Sequence, residues 1–321
     1  MKLGSFTINF YDQPFEQALQ SVRSFGCEMV EIGCGGFIGK RHCDPAALLA
    51  DEDALQRFRE MVGTAGLEIS ALSCHMNGLH PDRSIGGAHR QEFRDTIRLA
   101  ERLGVARVIT FAGCPGDSDD AKYPNWVTCP WPDYFHELLT WQWEQKVIPF
   151  WREEVAFAKE HGIAKICLEM HPGDVVHSPE KLLRLRAAVG PEIGCNFDPS
   201  HLFWQGIDPI AAIRLLGDAI YHVHAKDSKI DPLNVIRTGV LDTKPYAEEI
   251  DRGWIFRTVG YGHSVEFWKA LVSELRLVGY DDVLSIEHED SLFSGSEGMA
   301  KASALLQQVM AHQPRGAMWW D

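Results

Sequence analysis

Short apolar runs alternate with longer amphipathic stretches along most of the chain. The short runs have the β-branched and aromatic content of strands, whereas the longer stretches repeat apolar residues at helical spacing. The short runs predict eight strands, at residues 3–9, 29–33, 68–74, 107–112, 165–169, 193–198, 220–224 and 283–287. The stretches between them predict helices at residues 14–25, 51–65, 89–103, 146–160, 179–189, 208–216, 265–277 and 298–310.

This alternation is typical of βα units, in which crossover helices join parallel strands. Several predicted helices end at a glycine just before the next strand, as at Gly26, Gly66, Gly104 and Gly162, and glycine is the favoured residue after a helix C-terminus. Eight such units favour a closed (β/α)8 TIM barrel, an α/β fold, over an open sheet. A length of 321 residues fits one such domain, residues 1–321, with insertions.

Two long segments interrupt the repetition. Residues 114–145 follow the fourth predicted strand and residues 228–262 follow the seventh, and both contain several Trp, Tyr and Phe residues. They lie on the side of a barrel where active sites are built, and their aromatic content argues against disorder. We expect the aromatic side chains to pack within a lid or a subunit contact, with direct stacking on a ligand as the alternative.

Four of the later predicted strands end in a residue that can bind a metal. These residues are Glu169, Asp198, His224 and Glu287. Because parallel strands of a barrel all point the same way, the four side chains are expected to gather on its C-terminal face. Three carboxylates and an imidazole, without the thiolates of a structural zinc site, suit Mn²⁺, Co²⁺, Mg²⁺ or Zn²⁺.

Charge and cysteine content narrow the function classes. A net charge of −14 and a pI near 5.4 argue against nucleic-acid and anionic-membrane partners. The eight cysteines are scattered without a Cys-x-x-Cys pair, as expected where thiols stay reduced. The first residues lack the apolar core of a signal peptide, and no apolar run is long enough for a membrane span. We therefore expect a cytoplasmic protein that acts on a small molecule.

Six short motifs carry a resemblance to a known superfamily. They are Val30-Glu31-Ile32-Gly33, Leu168-Glu169, Asp198-Pro199-Ser200-His201, His222-Val223-His224-Ala225-Lys226-Asp227, Gly260-Tyr261-Gly262 and Ser285-Ile286-Glu287. Over nearly the whole chain, their order and spacing resemble those of the xylose-isomerase-like TIM barrels, a superfamily of sugar (phosphate) isomerases and epimerases. The resemblance implies that Glu169, Asp198, His224 and Glu287 hold one divalent ion, with Mn²⁺ expected first. It also implies that Glu169 and Glu287 serve the two faces of a bound sugar as catalytic groups.

Three further histidines are candidates for catalysis or substrate binding. Residues two apart on a strand share a face, so His171 is expected to point inward with Glu169. It is then either the catalytic base or a group that supports the metal site. His201 is expected to bind the metal or to orient a ligand or the substrate, and His75, just after the third predicted strand, is a substrate-binding candidate.

Lys226 and Arg257 complete the predicted substrate-binding set. Lys226 shares a strand face with His224 and can donate a hydrogen bond to a substrate oxygen. Arg257, near the end of the second insertion, can bind a hydroxyl or phosphate group or form a surface ion pair. Glu31 is expected to be structural, because a buried carboxylate needs partners and a barrel interior offers them.

A site of this kind supports three related reactions. A divalent ion bound to a sugar's carbonyl and adjacent hydroxyl stabilises the enediolate left when the α-proton moves to a carboxylate or an imidazole. Return of the proton isomerises or epimerises the sugar, and loss of a β-substituent is elimination. We expect a metal-dependent sugar isomerase or epimerase that forms homo-oligomers. The alternative is a lyase that cleaves 3-oxo-glycosides, similar to the large subunits of C-glycoside-cleaving enzymes, which require a small second subunit.

Two other classes fit the motifs less well. An AP endonuclease of the same superfamily needs histidines at the ends of strands three and four and an Asp-x-His after strand seven, and of these only His75 is present. A non-catalytic sugar-binding barrel does not need four intact ligand positions. Both classes are therefore disfavoured.

Overall fold

Eight parallel strands close into a barrel in the computed structural model, which describes residues 1–320. The ten strands are β1 (Lys2–Phe6), β2 (Met29–Gly36), β3 (Glu68–His75), β4 (Arg107–Phe111), β5 (Lys165–Glu169), β6 (Ile193–Phe197), β7 (Ile220–Ala225), β8 (Asp227–Ile230), β9 (Trp254–Arg257) and β10 (Val283–Ile286). The barrel runs in the order β1, β10, β7, β6, β5, β4, β3, β2, and β2 pairs with β1 to close it. Strands β8 and β9 form an antiparallel pair outside the barrel. The predicted TIM barrel is confirmed.

Helices connect the strands and cover the barrel. They are α1 (Phe15–Ser24), α2 (Pro45–Ala50), α3 (Glu52–Thr64), α4 (Arg83–Leu103), α5 (Tyr134–Trp141), α6 (Ile148–Glu160), α7 (Pro179–Val189), α8 (Ser200–Phe203), α9 (Pro209–Leu216), α10 (Pro232–Thr238), α11 (Val265–Leu277) and α12 (Gly295–Val309). Side chains of Asp51, Asp208 and Ser264 accept hydrogen bonds from first-turn amides and so fix where α3, α9 and α11 begin. Among residues 1–320, none of the helices combines the length and apolar character that crossing a membrane requires.

The first strand is shorter than predicted. The apolar pattern predicts that residues 7–9 extend it, but Thr7–Phe10 form a 3₁₀ turn instead. The Thr7 hydroxyl accepts a hydrogen bond from the Gly33 amide at 3.1 Å, and the Asn9 side-chain amide donates to the Ile286 carbonyl at 2.8 Å. These bonds to neighbouring strands turn the chain across the top of the barrel, and local sequence gives no sign of them.

Strand β2 extends three residues beyond its predicted end. Gly36 has φ +70° there, and a Cβ atom would lie 2.0 Å from the His75 carbonyl oxygen. Only glycine fits both conditions, and the Gly36 amide donates to a Glu92 carboxylate oxygen at 2.8 Å. The extension keeps β2 paired with the end of β3, which carries His75.

The barrel interior changes from apolar to polar along its axis. Ala71, Ile109 and Cys167 form a small buried apolar cluster inside the barrel. Two residues further along their strands, on the same faces, stand Ser73, Phe111 and Glu169. Two of these three side chains, Ser73 and Glu169, are polar and lie toward the C-terminal end of the strands. The larger apolar core lies between the barrel and the surrounding helices.

The two insertions differ in structure. Residues 228–262 contain α10 and most of the β8–β9 pair, and the indole of Trp254 stacks on Trp204 at 4.9 Å. Residues 114–145 run as a loop into α5, held by the buried Gln142, whose side-chain amide donates to carbonyls of the loop, including that of Asn125 at 2.8 Å. Both insertions follow the C-terminal ends of barrel strands and therefore border the same face.

Candidate functional site

Four strand-end residues meet at the C-terminal face of the barrel. Glu169 ends β5, Asp198 follows β6, His224 lies in β7 and Glu287 follows β10. Each offers one ligand atom, these atoms lie within 4.8 Å of one another, and all four residues are buried. We call this group the ligand cluster. The cluster brings together the four residues that the sequence predicts as metal ligands.

Two oxygens of the ligand cluster have no hydrogen-bond donor. Asp198 Oδ2 and Glu287 Oε2 are buried and unsatisfied. Glu287 Oε2 lies 3.0 Å from His224 Nδ1 and 3.3 Å from the Lys226 ammonium, but neither group is aligned as a hydrogen-bond donor to it. A buried carboxylate oxygen without a donor is costly, and a cation placed among these atoms removes that cost. The residues therefore fit a metal ion with mixed oxygen and nitrogen ligands.

Glu31 holds the imidazole of His224 in one orientation. Its carboxylate oxygens lie 2.9 and 3.0 Å from His224 Nε2, so Nε2 donates to Glu31 and Nδ1 faces the ligand cluster. The same carboxylate accepts hydrogen bonds from Ser73 Oγ at 2.6 Å and Ser285 Oγ at 2.8 Å. All of these groups are buried. Glu31 thus has the partners that its structural role requires, and one of them is a ligand candidate.

Glu31→Gln is expected to weaken binding of a divalent ion by about 10- to 100-fold, the usual cost of changing a group that orients a metal ligand. The amide keeps the shape of the side chain but loses the charge that favours the Nε2–H tautomer. Titration of the metal against a competing chelator measures the effect. Glu92→Gln, which changes a carboxylate bonded to Gly36, is the control. A folded Glu31→Gln protein with wild-type metal affinity would refute this role.

Asn196 supports the ligand cluster and was not singled out from the sequence. Its Nδ2 donates to Glu169 Oε2 at 2.9 Å, and its Oδ1 accepts from His222 Nδ1 at 2.8 Å. Asn196 stands two residues before Asp198 on the same run of chain, so strand parity was the signal that could have found it. The amide fixes the Glu169 carboxylate from the β6 side.

His75 and His201 lie on either side of Glu169. His75 Nε2 is 3.2 Å from Glu169 Oε2, while His201 Nε2 is 3.2 Å from Glu169 Oε1 and 3.4 Å from Asp198 Oδ2. Both histidines are buried and line the cavity above the ligand cluster. Burial opposes ionisation of Glu169, but contacts with His201, His224 and His75 outweigh it and hold its pKa well below the ordinary value. Glu169 is therefore a carboxylate at neutral pH.

Lys226 lies between two carboxylates at the edge of the ligand cluster. Its Nζ is 2.5 Å from Glu289 Oε2 and 3.3 Å from Glu287 Oε2. Burial opposes its charge, but these carboxylates raise the Lys226 pKa well above the ordinary value. Burial opposes ionisation of Glu287, but the charges of Lys226 and His224 outweigh this effect and lower the pKa of Glu287 to about 2. Lys226 remains a cation that faces the cavity.

Arg257 does not reach the cavity. Its Nε donates to Asp290 Oδ2 at 3.2 Å, and Asp290 is buried and also accepts from the Thr258 amide at 2.7 Å. Arg257 is absent from the residues that line the cavity within the described chain. The sequence leaves two roles open for Arg257, binding of a hydroxyl or phosphate group and formation of an ion pair. The structure shows the ion pair, because the buried Asp290 carboxylate needs a cationic partner.

His171 lies on the turn after β5 and lines the cavity. Its Nδ1 is 2.6 Å from the Pro172 carbonyl oxygen, which places the proton on Nδ1 and leaves the Nε2 lone pair free. Burial and the nearby His201 lower the pKa of His171 to about 3. The imidazole is therefore neutral at neutral pH, and its free Nε2 lone pair is a weaker base than that of an ordinary histidine. This geometry is compatible with both roles predicted for His171, the catalytic base and a group that supports the metal site.

Asp174 is a further acidic group on the cavity wall. It is buried, and its Oδ2 is 3.8 Å from His171 Nδ1. Burial raises the pKa of Asp174 to about 8, so the carboxyl is mostly protonated at neutral pH and can donate a hydrogen bond into the cavity. Asp174 lies in a loop without periodicity, and nothing in the sequence marked it.

The cavity above the ligand cluster has a volume of about 710 Å³. The first insertion contributes Pro124 to its lining, and the second contributes Tyr246, Glu249, Ile255 and Phe256. Among the other insertion aromatics, Trp143 and Trp254 are buried, as expected for packing. Tyr123, Trp131 and Tyr134 of the first insertion and Tyr261 of the second are exposed in the single chain. For these side chains the expected subunit contact stays a prediction.

Comparison with known proteins shows the family to which this chain belongs. The model of xylose isomerase-like TIM barrels matches residues 19–309, and the chain belongs to that family. It is 36% identical over 313 residues to the uncharacterized protein YfiH of Bacillus subtilis strain 168, covering 97% of this chain and 100% of that protein. It is also 27% identical over 283 residues to the rhizopine catabolism protein MocC of Rhizobium meliloti, covering 87% of this chain and 75% of MocC.

Solved structures show the same barrel at low sequence identity. The probable 3-DHS dehydratase AsbF of Bacillus anthracis superposes with a TM-score of 0.67 at 18% identity, covering 96% of this chain and 99% of AsbF. The IolI protein with a bound zinc atom gives 0.65 at 18% identity, and a D-tagatose 3-epimerase-like protein gives 0.64 at 21% identity. Each of these two covers 96% of this chain and 98% of its own. At such identities the likeness defines the fold.

Proposed function

We propose that this protein is a divalent-metal-dependent enzyme that enolises a keto-sugar by removing the proton next to its carbonyl group, and that it is a sugar isomerase or epimerase. The observation that carries this proposal is the ligand cluster, with its two unsatisfied carboxylate oxygens, at the floor of a cavity large enough for a sugar. Mn²⁺ is the ion we expect first, because the ligands are mostly oxygens.

Glu169 and Glu287 are the proposed proton-transfer groups. Strands β6 and β7 separate β5 from β10 in the barrel order, so the two glutamates approach the cavity from different directions. Both are ionised, for the reasons given above, and each can take a proton from one face of a sugar or return it to the other. A divalent ion, when bound, supplies the positive charge that stabilises the oxygen anion of an enolised sugar.

Other cavity groups are proposed to orient the sugar. Lys226 can donate to a substrate oxygen, and His75 and His201 can form hydrogen bonds beside Glu169. All three are buried, so water competes little for these bonds. The similarity to a D-tagatose 3-epimerase-like protein supports epimerisation as a reaction of this fold.

A lyase reaction is the second candidate, and His171 is the observation that favours it. Its imidazole lines the cavity two residues after Glu169 and has a free Nε2 lone pair. A base that is not itself a metal ligand can remove the α-proton while a β-substituent leaves. The name of AsbF, a probable dehydratase, supports elimination as a reaction of this fold.

The products formed in D₂O distinguish these candidates. The protein, supplied with Mn²⁺, would be incubated with a panel of ketoses, cyclic keto-polyols and 3-keto-glycosides, and the products would be analysed by NMR and mass spectrometry. We expect deuterium on the carbon next to the carbonyl in an isomerised or epimerised sugar. Release of water or an aglycone would assign the lyase reaction instead. No deuterium in any compound would favour a non-catalytic sugar-binding barrel.

The insertion at residues 114–145 is expected to become less mobile when a ligand binds, because a lid excludes water during proton transfer. The effect should be largest in the loop around Pro124, the cavity-lining residue of this insertion. Hydrogen exchange of the protein with and without saturating ligand measures it, and α12 on the barrel exterior serves as the internal control. Unchanged exchange around Pro124 would show that the insertion is not a lid.

A further inference from the structure

The cavity has an aromatic wall on the side of His75. Phe111 lies against the His75 ring at 4.6 Å and against the His171 ring at 4.6 Å. Phe37 lies 6.4 Å from Phe111, further from the ligand cluster, and is 64% exposed. Both phenylalanines line the cavity. The wall therefore runs from the polar floor to a large apolar ring in contact with solvent.

A second aromatic wall lies on the side of His201. Phe256 lies edge-on to the His201 ring at 5.7 Å, and Lys226 Nζ is 4.4 Å from the centre of the Phe256 ring. Tyr246 stacks on Phe256 at 5.7 Å with 18° between the ring planes, and it is 59% exposed. Tyr246 and Phe256 both line the cavity. The first wall contacts His75 and the second contacts His201. Because these two histidines flank Glu169, the walls lie on different sides of the cavity floor.

The cavity exceeds the needs of one small sugar. Its volume of about 710 Å³ falls in the range, roughly 300–1,000 Å³, that encloses drug-sized ligands. Besides its polar groups, the cavity is lined by Phe37 and Tyr246, whose rings are exposed. Exposed apolar groups grouped at a cavity mark a surface that a ligand covers.

The charges around the cavity disfavour an anionic ligand. Within the described chain, Lys226 is the one Lys or Arg side chain that lines it, and two carboxylates already neutralise that charge. Glu249 adds a further negative charge to the lining, outside the ligand cluster. Away from the ligand cluster, where a divalent ion would lie, a phosphate group would meet carboxylates without a free Lys or Arg side chain to bind it.

We propose that the substrate is an uncharged sugar ring that carries an apolar, flat substituent, and that sugar phosphates are excluded. The sugar lies on the polar floor beside Glu169, and the substituent lies between the walls formed by Phe37 with Phe111 and by Tyr246 with Phe256. This inference rests on the proposed function for the placement of the sugar over the ligand cluster. The apolar, flat character of the substituent is inferred from the aromatic walls, and the exclusion of phosphate is inferred from the charge of the cavity.

Binding of unreactive glycosides tests the apolar part of this inference. Isothermal titration would compare methyl and phenyl β-D-glucopyranoside, with the galactosides and mannosides alongside, on Mn²⁺-supplied protein. We expect at least one phenyl glycoside to bind about 10-fold or more tightly than its methyl partner, because the ring is buried between aromatic side chains. Equal affinities in every pair, or no saturable binding of any phenyl glycoside, would overturn the inference.

Matched variants locate the effect. Phe37→Ala and Tyr246→Ala each remove an exposed ring at the mouth and are expected to reduce the phenyl preference by about fivefold, because each removes one stacking surface. Tyr123→Ala removes a similarly exposed ring that does not line the cavity and should leave the preference unchanged. A phenyl preference that survives Phe37→Ala and Tyr246→Ala together would place the substituent elsewhere and refute the proposal.

A phosphorylated probe tests the charge. Phenyl β-D-glucopyranoside 6-phosphate is expected to bind about 10-fold or more weakly than the parent glycoside, and Glu249→Gln is expected to narrow that difference. Equal or tighter binding of the phosphate would overturn the exclusion of sugar phosphates. These titrations do not depend on turnover. Failure of deuterium exchange would therefore refute the proposed function, whereas failure of the binding preferences would refute this inference.

Discussion

Glu287→Gln is expected to lower the affinity for a divalent ion by about 100-fold or more. Changing a group that only orients a ligand costs about 10- to 100-fold, and Glu287 supplies one of the two unsatisfied oxygens of the ligand cluster. The amide has the same shape but no charge, and the cation loses one of three carboxylate partners. Chelator competition gives the affinity, and elemental analysis of the purified proteins, expected to find about one ion per wild-type chain, gives the occupancy.

Glu289→Gln is the matched control for this experiment. Glu289 is two residues from Glu287 and contacts Lys226 at 2.5 Å, but it is outside the ligand cluster. Both variants remove one carboxylate next to the same lysine, so a general change of local charge should affect them equally. Full metal retention by Glu287→Gln, or an equal loss in both variants, would remove Glu287 from the ligand set.

His171→Asn separates the two candidate reactions. If His171 is the base of an elimination, the variant should keep its metal but lose α-proton exchange by about 100-fold or more, the usual scale for loss of a general base. If Glu169 and Glu287 transfer the protons, exchange should change much less, because His171 then only borders the cavity. The measurement is the rate of deuterium incorporation at saturating substrate, together with metal content.

The control for His171→Asn is His177→Asn. His177 is six residues further along the same loop, and its Nδ1 lies 3.0 Å from Gln205 Oε1. It does not line the cavity within the described chain. A fall in exchange confined to His171→Asn assigns the base, while wild-type exchange in that variant leaves the isomerase or epimerase reaction as the better account.

Strand-end chemistry was the part of the site that the sequence could predict. Parallel strands all present their C-terminal residues on one face of the barrel, so the sequence alone predicts that Glu169, Asp198, His224 and Glu287 share that face. Residues two apart on a strand share a face, so the sequence also predicts that Asn196 points inward with Asp198, although its amide was not singled out from the sequence. These inferences succeed because they depend on strand direction and period alone.

Loop residues could not be placed in this way. Asp174 acquires its raised pKa from burial in a loop, and Tyr246 reaches the cavity through the β8–β9 pair, whose existence depends on contacts distant in sequence. The same limit explains Arg257, whose partner Asp290 comes from after β10. Neither composition nor periodicity contains such long-range pairings, so the shape and charge of the cavity required the folded structure.

The most direct test of the proposed function is the rate at which a keto-sugar exchanges its α-proton with D₂O. The protein supplied with Mn²⁺ would be compared with Glu169→Gln, which alters a ligand-cluster residue at the cavity floor. We predict deuterium at the carbon next to the carbonyl for the wild-type protein, and a loss of about 100-fold or more in Glu169→Gln. Exchange at the same rate in both proteins, or none by the wild type with any sugar of the panel, would contradict the account.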